Sequence, residues 1–147
     1  MVRFDTEVDK EREDWLGHRL DETNTAASPA MARLRGTPAE DDIPVHVYAV
    51  DDDGAVVGGL TGKVWGRWLH VDLLWVRADR RGKGLGADLL ARAEETARTE
   101  HACGHVRLET WDFQAPEFYR RQGYTLVGEV PDYPPGVTEY IFAKALR

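Results

Sequence analysis

The segment Arg80-Arg81-Gly82-Lys83-Gly84-Leu85-Gly86 packs three cations and three glycines into seven residues. Glycine at every second position removes Cβ atoms where a backbone must come close to a ligand. The segment joins an apolar strand pattern ending at Val76 to a helical pattern opening at Gly84. The free amides and positive dipole end of that helix therefore meet the cations. Such a junction is an anion site, and a phosphate or pyrophosphate is its natural occupant. A Walker loop would need Ser or Thr after Lys83, where Gly84 stands. A dinucleotide fingerprint needs GxGxxG, whereas this loop reads GxGxG. A basic turn without a ligand is the plain alternative. A second group lies just upstream. His70 and Asp72 are two residues apart on one strand pattern, so alternation predicts a shared face. A carboxylate amid apolar strand residues is costly unless paired or used. Glu109, on a neighbouring strand, is either a second acid or a solvated, ion-paired carboxylate.

These residues need a frame. Val2 to Phe4 reads as a short first strand, and Glu7 to Leu20 as a helix with Val8, Trp15, Leu16 and Leu20 inward. A short second helix is expected around Ala30 to Arg35. Val45 to Val50, Val56 to Trp65 and Trp68 to Val76 read as three strands joined by tight turns at Asp51–Gly54 and Gly66-Arg67, an antiparallel meander. Gly84 to His101 carries Leu85, Leu89, Leu90, Ala93 and Ala97 at helical spacing, with Gly104 as the stop. Strand 105–111 follows, making a βαβ crossover that sets it parallel to strand 68–76. A short helix opens at Pro116 and ends before Gly123. Tyr124–Val130 and Thr138–Ala145 are the last strands. The expected fold class is mixed α/β: a mostly antiparallel six- to seven-stranded sheet with a central parallel pair and helices on both faces.

The length of 147 residues suits one domain, 1–147, that needs no disulfide or structural metal. A formal net charge of −7 argues against general affinity for nucleic acid or anionic membranes. Cys103 is the single cysteine and reads as a buried hydrophobe; no metal site is expected. The N-terminus lacks an apolar signal region and no run is long enough to span a bilayer, so a cytoplasmic protein is expected.

Arg81-x-x-Gly84-x-Gly86 resembles the pyrophosphate signature of the GCN5-related N-acetyltransferase (GNAT) superfamily, Gln/Arg-x-x-Gly-x-Gly/Ala. Leu74-Trp75-Val76 precedes it at the family's distance. Gln114-Ala115-Pro116-Glu117-Phe118-Tyr119, continuing to Gly123-Tyr124, resembles the family's second block. The order of elements agrees from Val2 onward, and the Phe113–Pro116 and Asp132–Gly136 segments are similar to a small bacterial subgroup of mostly unassigned substrate. The resemblance implies that Gly82, Lys83, Gly84, Leu85, Gly86 and Ala87 hold the pyrophosphate of acetyl-CoA beside Arg81. It implies that Leu74, Trp75 and Val76 pair with the pantetheine arm near Gln114, and that strands 68–76 and 105–111 splay to admit the thioester. Many relatives carry asparagine where Asp112 stands, which places that position's cofactor contact in question.

The implied function is acetyl-CoA-dependent N-acetylation of a primary amine on a small molecule, by direct attack in a ternary complex. The amine must lose a proton, since an alkyl ammonium has a pKa near about 10.4. Asp72 or His70 is implied as base. The Val76 amide is the candidate donor to the developing oxyanion, and Tyr119 the proton donor to the leaving thiolate. Phe118 is expected in the core. Trp65, Trp68, Glu109 and Tyr133 are candidates for the acceptor site, while core packing accounts for most of the tryptophans, Trp75 and Trp111 included. Asp72, Glu109 and Asp132 at the mouth would suit a cationic amine. The alternatives are a protein or peptide N-acetyltransferase and a non-catalytic acyl-CoA-binding module. A homodimer is an expectation by analogy.

Overall fold

The computed structural model describes residues 1–147, which fall into two compact units, Met1–Thr37 and Pro38–Arg147. In the first unit, Asp9 caps helix α1 (Lys10–Ala27) by accepting the Arg12 amide, and Glu11 and Glu13 sit in the first turn, where the helix dipole favours carboxylates. Ser28 ends α1 and caps α2 (Pro29–Leu34) through the Met31 amide, with Pro29 opening the new helix. Two expectations fail here. Val2–Phe4 form no strand; three residues without a partner edge cannot hold one. Val8, Trp15, Leu16 and Leu20 do not point into a core, because α1 buries none of its residues. Thirty-seven residues carrying two helices are too few to enclose a core of their own.

In the second unit, β1 (Ile43–Val50), β2 (Val56–Trp65), β3 (Trp68–Val76), β4 (His105–Trp111), β5 (Thr125–Val130) and β6 (Glu139–Ala145) form one sheet in the order β1-β2-β3-β4-β6-β5. Only β3 and β4 are parallel. Helix α3 (Leu85–His101) crosses between them and lays Leu89, Leu90, Ala93 and Ala97 on Leu60, Leu69, Val106, Leu108 and Phe142, all essentially solvent-free. The two alanines let the helix sit close; each large aliphatic side chain contributes roughly 1.5–3 kcal/mol. The helix stops at Ala102, in the left-handed region at φ 54°, rather than at Gly104. Helix α4 (Pro116–Arg121) packs its Tyr119 into the same core. Cys103 is buried there, and burial pushes its thiol pKa up. The tryptophans are not core residues: Trp65, Trp68, Trp75 and Trp111 all stay at least partly exposed.

Two irregularities shape the site. The β3–β4 pairing runs only from Trp68↔His105 to Val71↔Leu108, after which the strands part. At the same level Thr61 pairs with Leu73 but Gly62 pairs with Val71, so Asp72 is left over as a bulge. A Cβ on Gly62 would lie 2.5 Å from the His70 carbonyl oxygen, so only glycine admits this approach.

Candidate active site

The splay and the glycine loop bound a groove of about 480 Å³. Leu74 and Val76 form one wall, the loop and the start of α3 (Arg80, Arg81, Gly82, Gly84 to Ala87) a second, and Ala115, Phe118, Tyr119, Arg121 and Gln122 a third. Gly82 and Gly84 hold φ of 73° and 84°, where a side chain would be strained, and nothing in the chain lies within 4 Å of a Cβ placed on either. The loop is therefore shaped by backbone alone and open in front. Arg81 Nε donates to the Val76 carbonyl at 2.9 Å and Lys83 Nζ to the Asp79 carbonyl at 3.3 Å, folding the loop back on the strand end. Arg80, Arg81 and Arg121 surround the α3 N-terminus, making the arrangement an anion site with an apolar floor. Phe118 is half-buried against the core, as expected, and its remaining surface also lines this groove.

Backbone polarity along β3 continues the site. The Arg77 amide donates to the Val57 carbonyl at 2.8 Å. In an antiparallel ladder the bonded and non-bonded pairs alternate. Val76, opposite Gly58, and Leu74, opposite Leu60, thus belong to non-bonded pairs and turn N–H and C=O away from β2. They face the side from which β4 has parted.

A second cavity of about 180 Å³ lies in the parting, lined by Asp72, Leu74, Leu108, Glu109, Gln114 and Tyr119 among others. Tyr119 lines both cavities and so stands where they meet. It is only 8% exposed, and burial alone raises its pKa to about 12. The phenol therefore keeps its proton throughout the neutral range. Gln114 accepts from Thr110 Oγ1 at 3.0 Å and from the Trp111 amide at 2.8 Å, which fixes the turn between β4 and α4.

His70 Nε2 lies 2.7 Å from Glu109 Oε2, and Arg107 donates to the other oxygen at 3.1 Å. With Nε2–H donating to the carboxylate, Nδ1 is left as the ring's acceptor. Asp72 differs from expectation. It is exposed on the bulge, so no burial cost attends its charge, and strict alternation with His70 ends at Val71. His70 also lines a third cavity, of about 340 Å³, with Lys63, Trp65, Gly66, Trp68 and Arg107.

The structure thus places Tyr119, Asp72, Glu109, Leu74, Val76, Gln114 and the loop residues around two adjoining cavities, and His70, Trp65 and Trp68 around a third that the His70–Glu109 bond links to them. Trp75 lines none of them and is half exposed. Lys83 is held on Asp79, and Asp112 accepts the Thr138 amide at 3.2 Å. Tyr133 is exposed in a loop pinned by Trp111 Nε1, which donates to its carbonyl at 2.8 Å. Arg121, Lys63 and Arg107 line the cavities without having been singled out from sequence.

Comparison with known proteins bears on the family and the fold. The model of the acetyltransferase (GNAT) family matches residues 7–124. The chain is 51% identical over 131 residues to a blasticidin-S acetyltransferase of Streptomyces morookaense, covering 87% of this chain and 96% of that one. A crystal structure of an acetyltransferase from Bacillus cereus ATCC 14579 superposes with a TM-score of 0.83 at 29% identity, over 98% of both chains. An aminoglycoside 6'-N-acetyltransferase solved with coenzyme A shares the fold, at a TM-score of 0.64 and 18% identity over 95% of both chains.

Proposed function

The chain belongs to the GNAT family of acetyltransferases, and from that footing we propose that it transfers the acetyl group of acetyl-CoA to a primary amine of a small molecule. Direct attack in a ternary complex is the proposed course, with Met1–Arg147 acting as one acetyltransferase domain. The observation that carries this reading is the open glycine loop. Its positive-φ glycines, the α3 amides and three arginines suit a pyrophosphate, and the groove they bound runs to Tyr119. Loop residues Gly82 to Ala87 would hold that group, Lys83 by its backbone alone.

The remaining roles are proposed on the same footing. Leu74 and the Val76 N–H offer backbone polar groups turned away from β2 to an extended amide chain, as an added strand would use them, while Arg81 holds the Val76 carbonyl. The Val76 N–H is the donor to the thioester oxygen as charge develops there. His70, held through Nε2 by Glu109, takes the amine's proton at Nδ1 and gives it up to water, and the exposed carboxylate of Asp72 is the second base candidate. Tyr119 gives a proton to the departing thiolate from its buried, protonated hydroxyl. The acceptor enters from the side of Trp65, Trp68 and Glu109.

The 51% identical relative makes blasticidin S the first acceptor to try. The test is release of CoA thiol from acetyl-CoA, with blasticidin S and a panel of primary amines, and the product followed by mass. Gain of one acetyl group on an amine supports the reading. No thiol release with any amine, by a protein that binds acetyl-CoA, would favour a non-catalytic acyl-CoA sensor.

A further inference from the structure

The face of the sheet opposite α3 carries two cross-strand rows. Lys63 pairs with His70, and His70 with Arg107, placing three basic side chains side by side on β2, β3 and β4. One step along, Trp65 pairs with Trp68, and Trp68 with His105, giving a row of three aromatic rings. Residues two apart on a strand share a face, so the two rows lie next to each other. Neighbouring strands are about 4.8 Å apart, so each row spans roughly 10 Å. The rows flank the cavity of about 340 Å³, which no carboxylate lines.

This patch stands out in a chain of net charge −7. Lys63 forms no ion pair and Arg107 spends one nitrogen on Glu109, so donors remain on both. Trp68 is already stacked on His105 at 4.6 Å, and Trp65 is nearly half exposed beside it. Indole faces take planar groups, while Lys and Arg heads take carboxylates or phosphates. Of the acids expected to attract a cationic acceptor, Asp72 lines a different cavity and the other two are engaged. Glu109 is held by His70 and Arg107, and Asp132 accepts the amide of Gly136 in its own loop.

We propose that the rows Lys63–His70–Arg107 and Trp65–Trp68–His105 form an acceptor subsite selecting amines that carry a planar ring and an anionic group. The site thereby disfavours purely cationic polyamines. This deepens the acetyl-transfer reading, since His70 belongs both to this cavity and to the proton path. It sets the substrate class through Lys63 and Arg107, which that reading does not use.

Equilibrium binding tests it without turnover. Calorimetric titration would compare 4-(aminomethyl)benzoate with 4-(aminomethyl)benzamide, which keeps the ring and amine and loses the negative charge. The carboxylate is expected to bind about tenfold more tightly, with the difference shrinking at high salt. Lys63→Glu should abolish or invert the preference, and Trp65→Ala should weaken both ligands alike. A melting curve on each variant reports folding. Equal binding of the two compounds, or binding of neither, overturns the subsite. A parallel titration of the wild-type protein with acetyl-CoA separates the two readings, since acetyl-CoA can bind where the benzoate does not, and the reverse.

Discussion

At the scale of single residues, Tyr119 and His70 carry opposite ends of the proposed proton traffic, and they predict different kinetic signatures. Tyr119→Phe removes one hydroxyl from a position that touches both cavities. It should lower kcat by about 10²-fold while leaving KM for acetyl-CoA nearly unchanged. Glu109→Gln keeps the shape but withdraws the charge that holds the His70 ring. It should lower kcat more than it raises KM for the amine, whereas a merely structural role for Glu109 would lower the melting temperature and leave kcat of the folded enzyme in place. A third consequence concerns stability. Burial raises Tyr119 to about 12 and drives Tyr124 upward too, helped by the hydrogen bond its hydroxyl donates to Glu94. Above pH about 10 an unfolded tyrosine gives up its proton while the folded one retains it. Stability is therefore full below pH 10 and falls as the pH rises from 10 to about 12. Melting temperatures across that range should drop less steeply in Tyr119→Phe. The loop was legible in sequence because its glycines and cations are contiguous. The His70–Glu109 bond was not, because the partners are 39 residues apart and meet only across two strands.

At the scale of elements, the parting of β3 and β4 makes the site, and the Asp72 bulge marks where it begins. Gly62 sits against the His70 carbonyl, so Gly62→Ala must push the strands apart or flatten the bulge. We expect a loss of about 1–3 kcal/mol by chemical denaturation, accompanied by loss of acetyl transfer beyond what stability explains. Full activity in a destabilised Gly62→Ala would detach the bulge from the chemistry. Most elements were readable because their periods are clear: α3 shows a stripe of Leu and Ala, and β1 and β2 end in turn residues. A bulge adds one residue without changing composition, so alternation carried His70 and Asp72 to one face and stopped being a guide at Val71. In α1 the few apolar residues keep a helical spacing, but spacing alone does not supply a surface to bury them against.

At the scale of the whole molecule, a chain of net charge −7 still sets basic side chains around the α3 N-terminus and along the Lys63–His70–Arg107 row. Both are read as anion sites, one for the donor's pyrophosphate and one for the acceptor. No helix is long and apolar enough to cross a membrane. The central claim is that the glycine loop binds acetyl-CoA through its pyrophosphate. Calorimetric titration of wild type and Gly84→Glu with acetyl-CoA, and of wild type with S-acetylpantetheine, addresses it directly. The account predicts saturable one-to-one binding of acetyl-CoA, at least about tenfold weaker in the variant and for the ligand without pyrophosphate. A folded wild-type protein that takes up no acetyl-CoA, or binds S-acetylpantetheine equally well, would contradict it.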